Sequence, residues 1–452
     1  MASDPPRDPP VLSPGATPRS IPAAISAIPL GPKLPRRFWW GFGFFFALTL
    51  VFLFSVTWVL VEGIGTLGLD IPAAWAFPII NTVWWIGIGH AGTLISAVLL
   101  LLRQRWRNSI NRFAEAMTLL AASLAAFHPI LHLGRPQYFY WLLPLPVTHM
   151  PWPQWRSPLV WDFFAIGTYL IVSLLFWYMG LIPDLAVLRD RAKRRGAQVA
   201  YGLLALGWRG SAHHWHRFET AYFLIAALAT PLVVSVHSVI ALDFTSAIIP
   251  GYHSTIFPPY FVAGALYSGF AMVVTIAVPL RAFFGLEAFI TLRHIDNAAR
   301  VMLGAGGVVA FGYVSEAYFA WYSGDEYERY MIWNRAFGDY GWLFWTMLAC
   351  NVGALQLLWF RSVRRSQWTM FALAMVINIG MWIERYVIVV TSLTRDFLPS
   401  AWNTLAPTWT DFGLLAGSLG LFFALMFLFV RLLPALSISE VEELQHELKE
   451  AG

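Results

Sequence analysis

Residues 127–162 read FHPILHLGRPQYFYWLLPLPVTHMPWPQWRSPLVWD. The stretch leaves one apolar segment through His128 and His132, which are one helical turn apart. It then crosses an aromatic, proline-rich connection and enters a second apolar segment at Asp162. A histidine pair and a carboxylate are therefore expected at the same end of two neighbouring membrane helices. An aspartate near the centre of such a helix costs roughly 2.5–3.5 kcal/mol, which makes ionisable residues there functional candidates.

The flanking sequence has the same character. Of 452 residues, 58% are hydrophobic and only 12% charged, where a soluble domain carries about a quarter. Apolar stretches of spanning length fall at 38–62, 78–102, 112–133, 160–182, 217–242, 259–283, 300–322, 338–360, 367–392 and 408–433. The expectation is an all-α polytopic membrane protein of about ten helices. Residues 1–36 are proline-rich, lack a signal-type apolar core and read as a disordered cytoplasmic tail. A first helix at 37–63 then precedes a four-helix bundle over 78–243 and a second over 258–393. A tenth helix at 408–433 and a cytoplasmic amphipathic helix at 434–452, opened by a Ser439–Glu442 capping box, complete the chain. Faint similarity between the second to fifth and the sixth to ninth spans, such as GHAG (89–92) against YSGFAM (267–272), suggests a parallel repeat.

Lys33, Arg36, Arg37, Arg103–Arg112, Arg189–Arg217, Arg281–Arg300, Arg361–Arg365 and Arg431 fall in one set of loops. The other set has only Arg135, Arg156, Arg329, Arg335 and Arg395. The basic set is assigned to the cytoplasm, with both termini. The pI of 9.3 thus reflects membrane orientation rather than nucleic-acid binding. The outer loops 134–159, 243–258, 323–337 and 393–407 are long and aromatic, and suit docking of a partner. Trp141, Trp152, Trp155, Trp161, Trp333, Trp402 and Trp409 read first as an interfacial belt. The inner loop 183–216 holds HHWH (213–216), which reads as a solvated basic loop rather than a metal site because no further ligand lies nearby. The lone cysteine, Cys350, excludes an internal disulfide and a Cys-ligated cluster within the chain. Bis-histidine haem would need facing pairs such as His128 and His237; the expectation is no haem and no metal in this chain.

His132 closes the third span, Asp162 opens the fourth and Asp243 closes the fifth. An imidazole beside carboxylates in a partly dry pocket is a proton-accepting set. Tyr138, Phe139, Tyr140, Trp141 and Tyr169 would line it for a flat ring, and the membrane-soluble ligand of that kind is a quinol. Each residue also has a structural explanation: Asp162 as a helix cap, His132 bonded to a loop carbonyl. A deeper set, Glu62, His90, Glu115, His128, His237, Glu316, Glu384 and Arg385, could form a proton path or structural ion pairs.

With these residues in hand, the chain resembles the NrfD/PsrC family of membrane subunits over nearly all of 37–433. The resemblance rests on FHPILHLGRPQYFYWLLP (127–144), WDFFAIGTYL (161–170), ETAYFLIAALATPLVVSVHSVIALDF (219–244) and IIPGYHSTIFPPYFVAGALYSG (248–269). It is most similar to the larger NrfD-like quinol-binding type (ActC) of bacterial alternative complex III. The resemblance implies a quinol site at His132, Asp162 and Asp243, with Arg395 matched by position only. It also implies quinol or menaquinol as bound substrate and no redox cofactor in the chain. Implied partners are c-type cytochrome subunits, a periplasmic iron–sulfur subunit and a second NrfD-like subunit, in a bacterial plasma membrane, with a proton-translocating role credited to the family. Rival readings are a quinone-reducing PsrC-type protein and, from another class, a transporter or ion carrier.

Overall fold

A computed structural model describes residues 9–32, 34–142 and 155–450; Trp152 and part of the 134–159 connection lie outside them, and so does the side chain of Trp141. The described chain is helical. It runs through α1 (Ser20–Leu30), α2 (Arg36–Glu62), α3 (Phe77–Leu101), α4 (Asn111–His132), α5 (Pro158–Arg191), α6 (Arg195–Leu204) and α7 (Ala212–Thr245). It continues through α8 (Phe257–Phe284), α9 (Leu292–Tyr322) and α10 (Glu326–Phe337). Nine helices among the described residues are long and apolar enough to cross a membrane. The stretch 338–360, expected as a tenth span, is shorter: Gly341–Leu348 and Ala354–Leu357 are joined by a wide π turn at Ala349–Gly353, together α11. A turn at Gly338–Gly341 takes the chain's first residues there. The helices α12 (Gln367–Leu393), α13 (Trp409–Leu432) and α14 (Ile438–Glu450) follow.

Two rings of helices result. In one, α3, α4, α5 and α7 pack in sequence order and α7 closes back on α3; in the other, α8, α9, α11 and α12 do the same. The rings share a wall, because α8 packs on both α3 and α7. Accordingly α3 and α8 are buried along most of their length, at 83% and 89% of their apolar windows. Small residues permit the approach, as between membrane helices generally: a Cβ at Gly269 would lie 2.5 Å from Ala91 Cβ and 3.0 Å from the Ile88 carbonyl. Outside both rings, α2 and α13 pack on each other, and α13 touches α4 and α3. The free side of α2 is a row of exposed aromatic and aliphatic residues, including Trp40, Phe44 and Phe54.

The termini depart from the expected tail. Within 1–36, α1 buries Ile21, Ile25 and Ile28 and packs on α13, α14 and α5; this apolar spacing, hidden among prolines, gives the segment a core to join. At the other end, Ser437 rather than Ser439 caps α14, accepting from the Glu440 amide at 3.4 Å, while Ser439 donates to Asp184. The helix is locked down by buried charge. Arg112 pairs with Glu115 at 2.9 Å and Asp184 at 3.1 Å, and donates to Ser437. Arg107 and Asn111 hold Glu440 at 2.7 and 2.9 Å. The expected loop 183–216 is mostly helical, and His213–His216 form the first turn of α7, capped by Ser211.

Candidate functional site

At the face opposite the termini, α5 starts with Ser157 and Pro158, so its first turn is set by proline, and Asp162 follows one turn on. Asp243 lies in the last turn of α7, the neighbour of α5. The two carboxyl groups lie close enough to interact directly. Two carboxyls held this close favour sharing one proton over both ionising, as in carboxyl dyads generally. One oxygen of each, Oδ1, is enclosed without a partner among the described residues.

Asp243 lines a cavity of about 350 Å³, with Trp75, Pro158, Tyr252, Ile249 and Leu393 around it. Its wall is aromatic and ordered: Phe244 stands edge-on to Trp75 at 5.9 Å and to Tyr252 at 5.0 Å, and Tyr252 donates to the Val389 carbonyl at 3.1 Å. A cavity that is mostly apolar, with few polar groups, and of this size suits a small planar ligand. The wall comes from the residues before α3, from the start of α5, from α7, from the 246–256 connection and from the end of α12. It does not come from Tyr138 and Phe139, which sit after α4 on the segment Pro136–Leu142, with Phe139 half exposed.

His132 ends α4 with Nδ1 enclosed and unpartnered, and no hydrogen bond joins it to either aspartate among the described residues. Arg395 is engaged elsewhere: it pairs with Asp339, donates to the carbonyls of Thr394 and Asn403 at 2.9 and 2.7 Å, and lies over Trp402 at 5.6 Å.

Beneath the aspartates the same two helices carry a second constellation. Seven residues below Asp162 on α5, Tyr169 stacks on His90 at 5.4 Å; six below Asp243 on α7, His237 meets the same ring edge-on at 4.6 Å. These offsets correspond to about 9–10 Å of helix. His90 Nδ1 contacts the Ile86 carbonyl at 2.6 Å. A carbonyl only accepts, so Nδ1 carries the hydrogen and Nε2 is left as a base. His90 Nε2 and both His237 nitrogens are buried without partners among the described residues. Tyr169 donates to the Gly89 carbonyl at 2.9 Å and shares a hydrogen bond with Thr93 at 2.7 Å.

The remaining deep residues divide into separate groups. His128 repeats the His90 arrangement, with Nδ1 on the Leu124 carbonyl at 2.8 Å, but beside Phe52 of α2. Arg385 pairs with Glu384 at 2.9 Å and lies 4.2 Å above Phe261, whose ring is 5.9 Å from His237. Glu384 also accepts from Tyr313 and Asn351. Glu316 pairs with Arg335 at 2.5 Å, and Arg335 also donates to the Gly251 carbonyl, Thr391 and Ser392. Glu115 belongs to the opposite face, bonded to Arg112 and Tyr222, and Glu62 ends α2 exposed. Sequence reasoning passed over Arg335 as one more outer-loop arginine. Its signal was Asp325 as a cap followed by Glu326 and Glu328 in the first turn, which marks a helix rather than a loop. No group of three or more His, Cys, Asp or Glu among the described residues could hold a metal ion.

The family model described as "Polysulphide reductase, NrfD" matches residues 65–395. A putative dimethyl sulfoxide reductase membrane subunit of Halobacterium salinarum is 26% identical over 242 residues, 53% of this chain and 51% of that protein, so that match spans about half of the relative. A selenate reductase subunit of Mesobacillus selenatarsenatis is 21% identical over 411 residues, 86% of this chain and 92% of that protein.

Proposed function

Because the chain belongs to the NrfD polysulphide reductase family, we propose that it is the quinol-interacting membrane subunit of an oxidoreductase complex. The observation that carries this is the Asp162–Asp243 pair, one member of which lines an aromatic cavity at the end of the spans. Oxidising a quinol releases two protons and two electrons. The pair is assigned one proton shared between its two carboxyls and takes one more from a ring hydroxyl. His132, at the end of the neighbouring α4 with its enclosed Nδ1 free, is assigned the second. The lone cysteine cannot ligate an iron–sulfur cluster, so the electrons pass to an iron–sulfur partner docked on the outer loops and α10.

The curated relatives carry the names of a dimethyl sulfoxide reductase and a selenate reductase. That supports a terminal reductase as electron sink at least as well as the alternative complex III arrangement with c-type cytochromes and a second NrfD-like protein. Purifying the complex from its membrane separates them: a c-type haem band supports the latter, and quinol-driven reduction of dimethyl sulfoxide or selenate supports the former. His90, Tyr169 and His237 extend the site inward as a proton relay.

The test of the site is binding of a fluorescent quinol-analogue inhibitor to the purified complex. Wild type is expected to bind tightly, and Asp162→Asn and Asp243→Asn to lose binding. Unchanged binding in both variants would move the site elsewhere, and no binding in the wild type would reopen the transporter reading.

A further inference from the structure

On the face that carries both termini, a cavity of about 640 Å³ opens between the two helix rings. Among the described residues its walls carry four guanidinium groups, Arg103, Arg105, Arg293 and Arg300, and no carboxylate. On α9 the lining residues Arg293, Asn297, Arg300 and Val301 recur at helical spacing and so form one face. From the other ring come Leu99, in the last turn of α3, and the turn that follows it. That turn passes through φ 51° at Arg103, a backbone region uncommon for a residue with a side chain. Val11 of the N-terminal stretch and Leu448 of α14 complete the rim.

The charge here is only partly neutralised among the described residues. Arg105 pairs with Glu447 at 3.2 Å, both half exposed. Arg300 reaches Asp296 at 2.9 Å, but the same carboxylate also holds Arg364 at 2.7 Å and Arg365 at 3.7 Å. Arg293 donates to the Pro9 carbonyl at 3.4 Å, and the Arg103 guanidinium makes no hydrogen bond or ion pair among the described residues. Among the described residues the lining arginines thus reach no carboxylate but Glu447 and Asp296, and Asp296 is already shared. Where the cavity meets the spans its lining turns apolar, through Leu99, Leu102 and Val301, and Leu102 is exposed.

We propose that this cavity binds the headgroup of an anionic phospholipid, its phosphate on the arginines and its acyl chains along Leu99, Leu102 and Val301. Excess arginine alone would suit any phosphate. The apolar lip at the ends of membrane spans selects a molecule that has a phosphate and a hydrocarbon chain together, and basic pockets between spans at the inner face are suited to such headgroups. The lipid bridges α3 of one ring to α9 of the other and sits against both termini.

The test uses the full chain, with the proteins that purify with it, in nanodiscs of phosphatidylcholine with or without one-tenth cardiolipin. Bound lipid is read by native mass spectrometry. Wild type is expected to retain cardiolipin selectively. Arg103→Gln/Arg293→Gln is expected to weaken retention roughly 30-fold, at about 1 kcal/mol per arginine, while Arg191→Gln/Arg194→Gln, exposed on the same face, retains it. Equal retention in the first double variant and wild type overturns the proposal. So does full displacement of the lipid by millimolar pyrophosphate, which would mark a site for soluble phosphate. Should the double variant not fold, Leu102→Glu leaves every arginine in place and puts a like charge under the acyl chain; undiminished retention there also overturns it.

Discussion

In the proposed site the two aspartates act through one proton, and that makes a sharp expectation. Asp162→Asn keeps a hydrogen-bonding partner for Asp243 but removes a base, so quinol oxidation should fall by roughly 100-fold or more, within the range of a lost general base. Asp243→Asn should do the same, and the double variant should lose little further, because groups that act as a unit are not additive. Steady-state quinol oxidation in membranes holding equal amounts of the complex checks this; a double loss equal to the product of the singles would contradict the shared proton. His132→Ala, with no bond to the pair, should cost less than either. Deeper, His90→Ala should slow proton uptake into liposomes while leaving inhibitor binding intact; unchanged uptake would remove the relay. The three end-of-helix residues were legible because charge at the end of an apolar run is conspicuous. Which of them touch was not legible, since contact depends on how each helix is rotated about its axis. Tyr138 and Phe139 looked like cavity wall by proximity in sequence, whereas Trp75 and Tyr252 reach it from distant connections.

Elements are held by two devices, one apolar and one ionic. Between the rings, Gly269 leaves no room for a side chain against Ala91 and Ile88. Gly269→Val should therefore force α8 from α3 and lower the yield of monodisperse complex on size-exclusion chromatography, with a lower thermal midpoint. Near-wild-type behaviour would mean that the wall yields. At the basic face, Arg112 pairs with both Glu115 and Asp184 in a fully buried setting. Arg112→Ala leaves two buried carboxylates without a counter-charge, a loss of about 3–5 kcal/mol for a broken buried pair. It should also free α14, which limited proteolysis would detect as early cleavage between Ala435 and Ile438. The capping box at Ser439 was a fair expectation from spacing alone, but Asp184, far away in sequence, competes for that hydroxyl. The same limit applies to α1: apolar residues among prolines do not announce a helix until there is a surface for them to cover.

For the whole molecule, the matched family region, 65–395, contains both rings and leaves out α2 and α13. Apolar length alone conveyed the number and order of the spans, except at α11, where a π turn and a preceding loop shorten the segment. Orientation is the remaining global property. In a Cys350→Ser background, Thr255→Cys should react with a membrane-impermeant maleimide on intact cells, and Arg194→Cys only after lysis; the reverse pattern would invert the assignment of the quinol-site face.

The pairing of α2 with α13 has a consequence for how the chain is made. The span α2 packs on α13, and roughly 350 residues separate them, or about 20–70 s of synthesis at 5–20 residues per second. For that interval α2 stands in the bilayer without its partner, its aromatic flank already suited to lipid. Truncated nascent chains that stop before Trp409 should therefore leave α2 open to crosslinking by insertion factors, and release should coincide with the emergence of α13.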